Sequence, residues 1–94
     1  MNQLIELREA RLRHSLGEVR GEAVVENYPT HTGFSLKLMK KESSESAYVV
    51  RSQRDRRMPK RYATLEAVRK ELDGLGIRRF VVDLQKQPAS RLDR

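Results

Sequence analysis

Along the 94-residue chain the spacing of apolar positions changes several times, and each change marks a new element. Between Asn2 and Leu16, Ile5, Leu12 and Leu16 recur at seven and four residues among Glu and Arg, which is helical spacing. The stretch contains no Pro and no internal Gly, and Gly17 offers the left-handed conformation that ends helices. A first helix is therefore predicted from Asn2 to Leu16. From Val19 the period falls to two. Val19, Gly21, Ala23 and Val25 alternate with Arg20, Glu22 and Glu26, Val24 being the exception, which predicts a half-buried strand. Tyr28-Pro29-Thr30-His31-Thr32-Gly33 turns the chain into a second strand, Phe34 to Lys40, with Phe34, Leu36 and Leu38 in phase. A polar turn, Glu42 to Ser46, leads to a third strand at Ala47 to Gln53 and completes an antiparallel meander.

Arg54-Asp55-Arg56-Arg57 reads as a tight turn, after which Met58 to Tyr62 forms a short fourth strand that Pro59 confines to an edge. Thr64 is an N-cap, Glu66 suits the positive end of a helix dipole, and Leu65, Val68, Leu72 and Leu75 make one apolar stripe. Gly74 and Gly76 stop this second helix, and Ile77 to Leu84 resumes period two as a last strand, Phe80, Val82 and Leu84 opposing Arg79, Val81 and Asp83. Residues 85–94 are expected to be a disordered basic tail. The prediction is one α+β domain over residues 1–84, built from an N-terminal helix, an antiparallel meander of three to four strands, an amphipathic helix and a final strand. One sheet face lies against the helices and the other is left for solvent or a partner.

Composition narrows the function classes. The chain has no Cys and no Trp, which excludes a disulfide-stapled scaffold and makes a cytoplasmic location the expectation. Its longest apolar runs, such as Tyr48 to Val50, are three residues long, against the roughly 20 that a membrane span needs. Only two histidines, His14 and His31, could serve as bases, and neither HExxH, P-loop nor GxGxxG spacing occurs. A non-enzymatic protein without metal or cofactor is expected. Aromatic residues are 5% of the chain, too few to offer stacking platforms for single-stranded nucleic acid.

Charge supplies the positive signal. The formal net charge is +7, yet residues 1–50 carry seven basic and seven acidic groups, while residues 51–94 carry thirteen against six. The excess centres on Arg51, Arg54, Arg56, Arg57, Lys60 and Arg61, with Arg78 and Arg79 extending the patch. Guanidinium groups are permanently charged and present a rigid fork of donors that matches phosphate or carboxylate oxygens. Double-stranded DNA, an acidic protein surface and a merely solvated turn all remain open as readings of this cluster. A double-stranded-RNA binder shares the α-β-β-β-α order superficially, but the extra final strand argues against it. Oligomeric state is open as well, a homodimer through a free sheet edge included.

Tyr48-Val49-Val50-Arg51-Ser52, the turn Gln53-Arg54-Asp55, Arg61-Tyr62, Thr64-Leu65-Glu66-Ala67, Leu75-Gly76-Ile77 and Phe80-Val81-Val82-Asp83 together resemble the ParC-like, partition-associated small proteins of plasmids and integrative elements. Leu7-Arg8-Glu9-Ala10-Arg11-Leu12 is similar as well. The likeness covers about two fifths of the chain and departs at the turn, where a Gly is expected and Asp55-Arg56-Arg57-Met58-Pro59 stands, implying a longer and more basic hairpin tip. It implies a plasmid maintenance role beside a partition protein complex on DNA. No site residue comes with it.

Overall fold

The segment predicted as one helix divides at Glu6. The computed structural model describes residues 2–43 and 45–84, and within them Asn2–Ile5 is a strand, β1, and only Leu7–Ser15 is helical, α1. Ile5, the first member of the helical pattern, is buried beside Val50 in a parallel pairing, and Arg51 N donates to the Ile5 carbonyl at 2.8 Å. Glu6 is extended and starts the helix only after that ladder is complete. The other two members, Leu12 and Leu16, are 53% and 59% exposed. Their spacing is helical, but the face they mark is not the one that packs.

The remaining elements are β2 (Val19–Asn27), β3 (Phe34–Lys40), β4 (Ala47–Val50), α2 (Leu65–Leu75) and β5 (Arg79–Asp83). The meander β2-β3-β4 is antiparallel as predicted, with Ala23, Leu38 and Tyr48 in one cross-strand row. Its third strand stops at Val50, short of Gln53. The expected fourth strand at Met58 to Tyr62 is reduced to two isolated bridges, Arg51 with Pro59 and Phe34 with Tyr62, because Pro59 has no N–H to extend a ladder. β5 forms at the position predicted for the final strand but runs parallel to β2, so the sheet is mixed, in the order β1-β4-β3-β2-β5. The tail predicted at 85–94 lies outside the described residues.

Topology places the helices. β1-α1-β2 and β4-α2-β5 are both parallel crossovers that move three positions across the sheet in the same direction. Equal handedness for two such crossovers puts both helices on one side, where they enclose the core. That face presents Ala23, Val25, Leu36, Leu38 and Val50, all fully buried, to Ala10 of α1 and Val68 and Leu72 of α2. Fully burying one such Val or Leu side chain contributes ~1.5–3 kcal/mol. The opposite face carries the cross-strand row Leu4, Val49, Lys37, Val24 and Val81, which explains why Val24 departs from the alternation of β2. Lys37 in its middle is held by Glu26 at 2.8 Å.

Candidate anion-binding site

The chain beyond β4 folds into a hairpin tip fixed by two short polar side chains. Ser52 Oγ accepts from the N–H groups of Arg54 and Asp55 at 3.1 and 3.2 Å, and Asp55 Oδ1 accepts from Arg57 N at 3.0 Å. Met58 N donates to the Asp55 carbonyl at 3.1 Å, and Ser52 N to the Met58 carbonyl at 2.8 Å. These bonds close the turn without left-handed backbone, and among the described residues only Gly17, Gly33 and Gly76 have positive φ. Asp55 therefore holds this tip by hydrogen bonds, without the left-handed residue that a Gly supplies in a tighter turn. The returning strand is tied down by Tyr28 Oη, which donates to the Pro59 carbonyl at 2.9 Å, and by the paired bonds of Phe34 with Tyr62. Gly33 is required beneath it, since a Cβ there would lie 2.7 Å from the Tyr62 carbonyl oxygen.

The eight basic residues singled out from sequence divide into three groups. Arg51, Lys60 and Arg61 are committed within the fold. Arg51 is only 14% exposed and donates to Glu6 Oε2 at 2.6 Å and to the Ser52 carbonyl at 3.0 Å. Lys60 pairs with Glu71 of α2 at 2.7 Å, and Arg61 donates to the backbone and side-chain oxygens of Thr32. The second group, Arg54, Arg56 and Arg57, stands on the tip, where Arg54 and Arg56 have no ion-pair partner among the described residues and Arg57 makes a 3.5 Å contact with Asp55 while 90% exposed. Arg78 and Arg79 form the third group and do not join the patch. Phe80 shares a row with Ala23, Leu38 and Tyr48, so Arg79 sits at the end of the sheet where β4 begins, while the hairpin leaves from where β4 stops. β5 is also three strand positions from β4, ~14 Å at the usual strand spacing.

In their place the fold supplies two arginines from the electrically neutral half. Arg8 and Arg11, one helical turn apart on α1, line a cleft of about 500 Å³ with Glu6, Leu7, Arg51, Gln53 and Arg56. Four arginines thus line a cleft that holds one carboxylate, that of Glu6, which Arg51 already occupies, while the Arg11 guanidinium also reaches toward Gly74 of α2. The commitment of Glu6 also leaves the start of α1 without a side-chain cap, so its positive end opens on the same cleft. The i, i+3 spacing of Arg8 and Arg11 is the available sequence signal for a shared face, but only the β1–β4 pairing brings that face to the hairpin.

Other chemistry is sparse. His31 shares a hydrogen bond with Thr30 in an exposed loop, and His14 is half-buried beside Gly76. Tyr28, Tyr48 and Tyr62 are all buried, so none presents a ring face to a base. Burial first, then the Glu71 carboxylate that accepts its hydroxyl at 3.1 Å, pushes the Tyr62 phenol well above its ordinary pKa. Among the described residues no helix is long and apolar enough to cross a membrane. Comparison of the chain with family models, with characterised proteins and with solved structures finds no match. The functional reading therefore rests on the geometry of the chain itself.

Proposed function

We propose that the chain is a non-enzymatic accessory protein that contacts double-stranded DNA, or a complex assembled on it, through the face formed by the hairpin tip and the first turns of α1. The observation that carries the reading is the convergence of Arg8, Arg11 and Arg56 on one cleft without a free carboxylate to neutralise them. Guanidinium forks at an uncapped helix start are suited to phosphate oxygens, and Arg54 and Arg57 beside them extend the charge along a backbone. Buried tyrosines favour a duplex over a single strand, because no tyrosine ring is offered for stacking. A maintenance role on a plasmid or other mobile element, as the family resemblance implies, is compatible with such a contact.

Fluorescence anisotropy with a labelled duplex at rising salt tests the reading. Binding should weaken with salt, and replacing Arg8, Arg11 and Arg56 by Ala should lower the slope of log K against log salt by about three, near one for each phosphate that is no longer neutralised. Unchanged binding in that variant, or no binding at low salt, overturns it. An interaction that survives nuclease treatment and needs the same arginines would instead assign the cleft to an acidic protein surface.

A further inference from the structure

β5 is the outermost strand of the sheet, and among the described residues nothing pairs with its outer edge. It is thinly covered too, with Val81 and Val82 43% and 38% exposed and Leu84 just beyond at 60%. Edge strands are usually guarded by charged side chains, Lys above all, by Pro or by a bulge that twists the edge away, and β5 has charges only at its two ends, of opposite sign. Arg79–Asp83 contains neither Lys nor Pro, and its five positions pair with β2 in unbroken register.

The order of residues along this edge is self-complementary. Reading outward from Val81, the flanking positions are Phe80 and Val82, then Arg79 and Asp83. If the strand meets its own copy antiparallel about Val81, Arg79 stands opposite the partner's Asp83, Phe80 opposite the partner's Val82, and Val81 on the two-fold axis. Opposite charges placed across an antiparallel pair stabilise it, and apolar residues between them bury one another. Arg79 and Asp83 have no ion-pair partner among the described residues, so both are free to be used. Within one chain Asp83 is in register with Glu26, a like-charge neighbour, and the partner's Arg79 would stand on the other side of Asp83.

We infer that two copies of the chain join through β5 in this antiparallel register, making one continuous sheet from two five-stranded ones. A two-fold axis normal to the sheet keeps faces aligned: Arg79, Val81 and Asp83 stay on the open face, Phe80 and Val82 on the helix face. The helices do not obstruct this, because α1 packs over β2 and β4 and α2 over β3, all of them inward of β5. The proposal is independent of DNA binding, since the arginine cleft lies beside β1 and the end of β4, and β5 is the opposite edge of the sheet.

Sedimentation velocity on the full chain, over a concentration series reaching the high micromolar range, provides the test. The chain should dimerise, and R79D and D83R should each weaken the dimer by on the order of ten- to thirty-fold by setting like charges opposite one another twice. The double variant R79D/D83R should recover the dimer, which neither a folding defect nor a change in net charge would produce. A chain that stays monomeric throughout overturns the proposal, as does a dimer indifferent to both single reversals. A monomer whose β5 amides are nevertheless slow to exchange would assign the edge to another segment of the same chain, and also overturns it.

Discussion

α1 and α2 lie on the same face of the same sheet, yet they are held there by different means. α2 buries Val68, Leu72 and Leu75, is capped at its start by Thr64, whose Oγ1 accepts from Ala67 N at 3.1 Å, and ends on Gly76 in the left-handed conformation. α1 buries only Ala10, has no side-chain cap and exposes Leu12. It is fastened by polar contacts: Arg13 bridges Glu9 and Glu18, both at 2.9 Å, and lies over the Tyr48 ring at 5.5 Å. The Glu9 carboxylate first, and Glu18 next, hold that guanidinium well above its ordinary pKa. The difference separates two duties. α2 supplies apolar area to the core, while α1 contributes little to it and carries Arg8 and Arg11 to a surface.

The comparison breaks most directly at the two leucines. Leu72→Ala removes a side chain that is fully buried and should cost about 2–5 kcal/mol in urea unfolding, whereas Leu12→Ala should stay within about 0.5 kcal/mol. Similar losses at both sites would mean that α1 packs as α2 does. The polar anchor of α2 is tested by alkali. Tyr62 keeps its proton in the folded chain above the pH at which an unfolded tyrosine loses it, near 10, so the folded state binds the extra proton. Stability should therefore be intact below about pH 10 and fall by about 1.4 kcal/mol per pH unit above it, until the folded phenol itself titrates. Tyr62→Phe should remove that slope, which denaturant titrations at stepped pH would reveal. The cap is next: Thr64→Ala should cost about 1 kcal/mol, while Glu6→Ala should show no capping loss, because its carboxylate serves Arg51 and not the helix. The smallest effect sharpens the contrast from the other side. Arg8→Ala with Arg11→Ala should leave the thermal midpoint nearly unchanged while reducing duplex affinity, since neither side chain is committed to the core.

What can be read from the sequence follows the same division. α2 is legible because its stripe, its cap and its stop all point to one answer, and the meander because alternation and turn residues agree. The beginning of the chain is not, since Ile5 belongs to a strand whose partner, Val50, lies far along the chain, and no local period records such a pairing. The site shows the same limit. Charge density points to the hairpin, but half of the predicted hairpin cluster serves the fold through Glu6, Glu71 and Thr32, and those partners are adjacent only in three dimensions. Arg8 and Arg11 are hidden by a local charge balance that the fold undoes by directing the helix face to the cleft.

The long reach of the two parallel pairings has a kinetic side. Asn2 waits for Ala47, and Glu22 for Arg79, so neither flanking strand can close on its partner through local contacts. At synthesis rates of ~5–20 residues per second, roughly two to nine seconds separate the emergence of β1 from that of β4. The β2-β3-β4 meander can assemble in that interval from short-range hairpins, while loop closure delays the strands on either side. The two edges of the sheet are thus expected to form last, and the exposed border at β5 is the final one the chain completes.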